Sequence, residues 1–158
     1  MNNKLKLGFI FILSVLLLVL LLSPKSNPNS PFFNIKRLQE KAFLNLRVSQ
    51  EQKVEYLGQL LDNRLVELEN LVKDESYEFL RTASLRYSTT AGHLTEAVVD
   101  NNLTKNVNPL KEKFESHKKR LQAMYEAYPK NFKDEEYKYI EDAINYLNAY
   151  LDKLSQVK

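Results

Sequence analysis

His93 and Glu96 stand three residues apart, a spacing that puts an imidazole and a carboxylate on one helix face where both could meet a divalent metal. A bundle di-metal site needs more. It takes a Glu-x-x-His on each of two helices, and the positions three before the only histidines are Thr90 and Phe114. No metal or other cofactor is expected. Ser84, Ser88 and Gly92 recur every four residues and, with Thr95, make a stripe of small and hydroxyl-bearing side chains. Such a stripe admits either a ligand or partner that its hydroxyls bind, or the close approach of a second helix. Gly58 poses the same pair of alternatives.

Arg64 lies inside an apolar seam, two after Asp62 and three before Glu67, where it could reach a carboxylate on a neighbouring helix. A buried pair of that kind fixes register more than it adds stability. Lys111, Lys113, Lys118, Lys119 and Arg120 make one later stretch basic, yet Glu112 and Glu115 interleave them. That pattern suits a solvated face, with an anionic-lipid contact as the alternative. Tyrosines crowd the last third of the chain at 125, 128, 137, 139, 146 and 150. Tyr137 and Tyr139 cannot both point inward from one helix, so Tyr139 joins Ser84, Ser88, Gly92 and Thr95 as a candidate partner or ligand surface.

Nothing in this inventory couples a nucleophile to a base. With only three glycines there is no phosphate-cradling loop, and with no cysteine there is no thiolate, disulfide or lipoprotein acylation site. No enzymatic activity is expected. The formal charge of +3 equals the contribution of Lys4, Lys6 and Lys25, so the chain beyond Pro31 is balanced and a phosphate-tracking nucleic-acid binder is excluded.

The elements that carry these residues begin with a membrane segment. Residues 5–24 contain one charge, Lys6, whose stem can snorkel to the headgroups, and the stretch LLSPKSNP after it offers no good cleavage site. An uncleaved single-pass anchor over 1–24 is the expectation, rather than a cleaved signal. The basic N-terminal side belongs in the cytoplasm, which puts the C-terminal domain outside it, in the cell envelope. Residues 25–31, rich in Pro, Ser and Asn, form an extended linker.

The domain, 32–158, keeps a 3.6-residue apolar period with no strand-like alternation, so it is all-α. A short leading helix runs over about 33–46 with Ile35, Leu38, Ala42 or Phe43, and Leu46 inward. Four long helices follow as an antiparallel bundle. The first is capped by Ser49, with Gln52 reaching back, and buries Val54, Leu57, Leu61, Leu65, Leu68 and Val72. The second runs from about 76 to 101. The third begins at Asn108-Pro109, a cap followed by proline at the first helical position. The fourth starts near Asp134 and carries Ile140, Ile144, Leu147, Leu151 and Leu154 inward. Short connections imply that consecutive helices are close neighbours.

The stretch SPFFNIKRLQEK at 30–41 and RLVE at 64–67 resemble an uncharacterised bacterial family, domain of unknown function 5667. Pro31, Phe33, Lys36, Glu40, Arg64, Leu65 and Glu67 carry the likeness, over roughly 30–72. Phe32 stands where leucine is more usual, and Leu68 where alanine often follows. The resemblance implies a helical domain behind a membrane segment and no assigned activity. The expected role is a non-catalytic protein-interaction or envelope-scaffold module bound to the membrane through residues 5–24, with a protein partner in the envelope. The alternative is a bundle that binds or senses a small ligand at the stripe around Gly92.

Overall fold

A computed structural model describes residues 13, 14, 17, 28, 30–129 and 135–157. The described residues are helical, with no strand among them: α1 (Phe33–Asn45), α2 (Gln50–Lys73), one 3-10 turn (Tyr77–Phe79), α3 (Leu80–Asp100), α4 (Thr104–Ala127) and α5 (Tyr137–Ser155). Two compact units divide the chain, 1–43 and 44–158. The predicted anchor lies outside the described residues apart from Leu13, Ser14 and Leu17, which are helical. Among the described residues no helix is long and apolar enough to cross a membrane.

In the second unit the capping box at Ser49 forms. Gln52 N–H donates to Ser49 Oγ at 3.2 Å, and the Gln52 side chain accepts from Val48 N–H at 3.2 Å, one residue before the cap itself. The seam predicted for α2 is buried, with Leu60 and Leu71 added and Val72 at its edge. The connections α2 to α3 and α3 to α4 both open with the same helix-ending turn, made without glycine. Glu75 (φ 53°) and Asn102 (φ 52°) adopt the left-handed conformation. Ser76 N–H then reaches Leu71 O, and Leu103 N–H reaches Val98 O, each at 2.9 Å, satisfying carbonyls that the helix end leaves open.

That second turn starts α4 at Thr104, four residues before the Asn108-Pro109 signal. Pro109 therefore sits in the second turn of the helix, where its ring removes one N–H without ending it. The predicted start at Asp134 falls outside the described residues, and α5 begins at Tyr137.

From α2 to α5 consecutive helices run in opposite directions, but they are not all close neighbours. α3 packs tightly on both α2 and α5, and α5 on α4, while α4 approaches α2 and α3 less closely. The tight α3/α5 pair is parallel: Tyr77 and Tyr137 both meet Tyr128 at one end, and Ser88 meets Tyr150 farther along. The small residues of α3 explain this. Ser84, Ser88 and Gly92 are buried and let α5 come near, whereas α3 faces α4 through the large rings of Tyr87 and His117.

In the first unit, Ser30 turns the chain into α1. Its carbonyl accepts from Phe33 N–H at 3.0 Å and its hydroxyl from Phe32 N–H at 3.3 Å, so the end of the predicted linker is a turn and not extended. The predicted inner face of α1 is also corrected. Leu38 is 70% exposed, Ala42 and Phe43 are exposed, and Ile35 is half-buried, while Phe33 and Lys36 are the buried residues. Leu46, just beyond the helix, is exposed as well. The apolar period located the helix, but Phe33 and Lys36 mark the side that is covered.

Candidate functional site

Asp62 on α2, Tyr87 on α3, and Lys113 and His117 on α4 form one hydrogen-bonded chain in the bundle. Lys113 and His117 are four apart and so share a face of α4. The Lys113 ammonium donates to both Asp62 oxygens at 2.6 Å, and His117 Nε2 lies 3.0 Å from Asp62 Oδ1. His117 Nδ1 lies 3.0 Å from the Tyr87 hydroxyl. An ionised carboxylate only accepts, so Nε2 carries the proton, Nδ1 accepts, and the phenol donates.

Burial sets the charges along this chain. It pushes the His117 imidazolium down to a pKa of about 4, outweighing the pull of Asp62, with Lys113 adding to the depression. Burial also raises the Tyr87 phenol, and the Asp62 charge raises it further. At neutral pH the imidazole and the phenol are both uncharged, and Asp62 is the ionised end. The sequence resembles a proton relay, yet its phenol end is wholly buried. A relay that reaches a substrate needs an accessible reacting atom, and here the accessible group, Asp62, is already held by Lys113 and His117. What the chain does is tie α2, α3 and α4 together.

Beside Asp62 the parallel helices α2 and α4 leave a cleft of about 290 Å³, whose walls include Val54, Gly58, Asp62, Leu94, Leu110 and Lys113. Gly58 is part of its wall. A methyl there would meet only Lys113 Cε, at 3.9 Å.

The RLVE motif makes a second tie. Arg64 donates to the backbone carbonyl of Arg86 at 2.8 Å, and Glu67 receives the Arg86 guanidinium at 3.2 Å. The motif thus brackets Arg86 from α2. Leu65 between them is fully buried. Arg120 adds a two-pronged contact with Glu69, at 2.7 and 2.5 Å. Lys113 pairs with Asp62 and Lys118 with Glu115, so much of the basic character of α4 is balanced locally.

The hydroxyl stripe is drawn together on one side of α3, facing α5. The Tyr150 ring covers Gly92, where a Cβ would come within 2.8 Å of the phenol oxygen, and that hydroxyl donates to Ser88 O at 3.3 Å. Ser84 and Thr95 are buried too, and Thr95 Oγ1 turns back to Ala91 O at 2.8 Å. Tyr139 is half-buried on α5. Of the α1 motif, Phe33 and Lys36 are buried, Glu40 is half-buried and Pro31 exposed. His93 and Glu96 are exposed, and no group of three metal-ligating side chains occurs among the described residues.

Sequence reading missed Tyr87, Lys113, Arg86 and His117 as members of these ties. Their partners lie 19 to 55 residues away. One signal was present: a histidine on the apolar face of α4, one turn after a lysine, needs a polar partner from a neighbouring helix.

No curated protein and no solved structure matches the chain. A family model does, and it extends well past the motif residues at 30–72 that first suggested the likeness. The match runs over residues 25–156, and the chain belongs to that family, Domain of unknown function (DUF5667).

Proposed function

We propose that this chain is a non-catalytic interaction module, held outside the cytoplasm by residues 5–24, whose bundle binds another protein of the cell envelope. The observation that supports it best is that the side chains able to do chemistry close on one another. Tyr87, His117, Asp62 and Lys113 form one chain of partners, and Tyr150 covers Gly92 and donates to the Ser88 carbonyl at the middle of the stripe. What the bundle offers outward is different in kind. About one turn before the Ser88/Tyr150 contact, Leu85 is 65% exposed on α3 and Tyr146, stacked on Tyr150, is 50% exposed on α5. An exposed aromatic and an exposed aliphatic at the same level of the parallel α3/α5 pair suit a protein contact, and half-buried Tyr139 lies two turns earlier on α5.

A photo-crosslinking residue placed in cells at Leu85, Tyr146 or, as a control, Gln122 on α4 tests this reading. One discrete adduct shared by positions 85 and 146 and missing at 122 is expected. The same products at all three positions, or none at 85 and 146, would contradict it. The alternative, a small-ligand bundle, loses room at Gly92 to the Tyr150 ring, and the α2/α4 cleft beside Gly58 is one open space for it.

A further inference from the structure

Arg47, Lys53, His93 and Glu96 surround open space instead of closing on one another. They line a cleft of about 410 Å³ whose residues all belong to the second unit. Arg47 enters from the connection before α2, and Lys53 from the first turn of that helix. His93 and Glu96, the pair whose spacing raised the question of a metal, enter from α3. Leu44, Leu57 and Ala97 give the cleft an apolar side. Elsewhere in the bundle cations meet carboxylates: Arg86 meets Glu67, Lys113 meets Asp62 and Arg120 meets Glu69. Arg47 and Lys53 are half-buried and make no ion pair among the described residues, although Glu96 lines the same cleft and Glu55 lines the next recess with Arg47.

What holds Arg47 is the Tyr56 ring, with the guanidinium 5.1 Å from its centroid. Stacking uses the face of that group and leaves its edge, where the N–H donors lie, to another partner. Two cations against one carboxylate give the lining a positive balance, and half-burial strengthens what each gains from a counter-ion. The apolar side adds nothing for a bare inorganic ion, but it can cover an apolar body. Glu96 repels a second negative charge, which favours a monoanion over a dianion. We propose that this cleft binds a small organic carboxylate, its apolar body against Leu44, Leu57 and Ala97 and its charged end toward Arg47 and Lys53. The His93 ring supplies a further N–H donor on the same cleft. None of the residues of the proposed protein contact takes part, so either reading can fail alone.

Ligand-observed fluorine NMR on the full-length protein in phosphatidylcholine nanodiscs tests this. The probes are para-fluorobenzoate, para-fluorobenzyl alcohol and para-fluorobenzylamine, which share a ring and differ in the charge of the head. The carboxylate is expected to bind several-fold more tightly than the alcohol, with the amine weakest. Arg47→Gln with Lys53→Gln should erase that preference. Glu96→Gln should tighten the carboxylate by roughly threefold, the scale of one exposed charge contact. Damage to the fold cannot produce such a gain, so this variant decides the matter even if the double variant misfolds. An alcohol or amine that binds as tightly as the carboxylate overturns the proposal, as does a carboxylate affinity that Glu96→Gln leaves unmoved. Inorganic phosphate that displaces the carboxylate at equal concentration would show that charge alone is read, and a lack of line broadening for all three probes that the cleft takes none of them. Either result overturns the proposal as well.

Discussion

The Tyr150 phenol oxygen lies 2.8 Å from where a Cβ on Gly92 would stand, so the missing side chain of one residue is filled by the ring of the other. Gly58, also mid-helix, borders open space. The two glycines therefore answer the same substitution differently. Gly58→Ala should stabilise the bundle by up to about 1 kcal/mol through helix propensity. Gly92→Ala should give none of that gain, and Gly92→Leu should cost about 1 to 3 kcal/mol by overpacking. Urea melts measure all three, and Tyr150→Phe should restore part of the alanine gain at 92 because it removes the nearest atom. Equal gains at 58 and 92 would contradict the packed contact.

Glu67 is buried against Arg86, so removing either charge takes one partner from the other in a buried setting. Glu67→Gln should cost about 3 kcal/mol, whereas replacing both with methionine should cost much less than the two single changes combined. Chemical denaturation of the four proteins of that cycle gives the coupling directly. An additive cycle would show that the pair does not hold α2 to α3.

Burial holds His117 neutral down to a pKa of about 4, below its unfolded value near 6.5. The unfolded chain takes up a proton that the folded chain refuses as pH falls between those values, so the stability from neutral His117 is complete above 6.5 and is lost progressively toward and through 4. The advantage of wild type over His117→Gln should shrink by on the order of 2 kcal/mol between pH 7 and 4.5. A gap that stays constant would mean that His117 titrates normally. Tyr87→Phe at pH 7 should cost about 1 to 3 kcal/mol, because it leaves Nδ1 buried without its donor.

Much of this molecule is legible in its residues. The α2 seam from Val54 to Leu68 follows from apolar spacing, and the Ser49/Gln52 cap from two residue types at the right separation. Those signals are local. The start of α4 was misread because the turn at Asn102 uses a left-handed asparagine without glycine, and Leu103, with no capping side chain, gives no start signal. The face of α1 was misread because apolar period locates a stripe without saying what covers it. The chain from Tyr87 to Asp62 depends on which helices become neighbours, and that was set by the small residues of α3 drawing α5 in as a parallel partner. Tyr150 over Gly92 belongs to the same class of fact.

The helix-ending turns give a prediction of their own. Glu75 has a side chain in a conformation that favours glycine, so Glu75→Gly should raise stability by about 1 kcal/mol, and Asn102→Gly by less because asparagine tolerates that region. Thermal melts of the two variants check the order. Destabilisation by both would place the strain elsewhere.

Labelling in cells tests the account at its centre, since an envelope partner requires the bundle to lie outside the cytoplasm. Asn148→Cys introduces the chain's only thiol on an exposed turn of α5. A membrane-impermeant maleimide added to intact, wall-stripped cells should modify it fully, while a cysteine at position 3, before the apolar block, should react only after lysis. Labelling at 148 that also waits for lysis would contradict the orientation, and with it the proposed role.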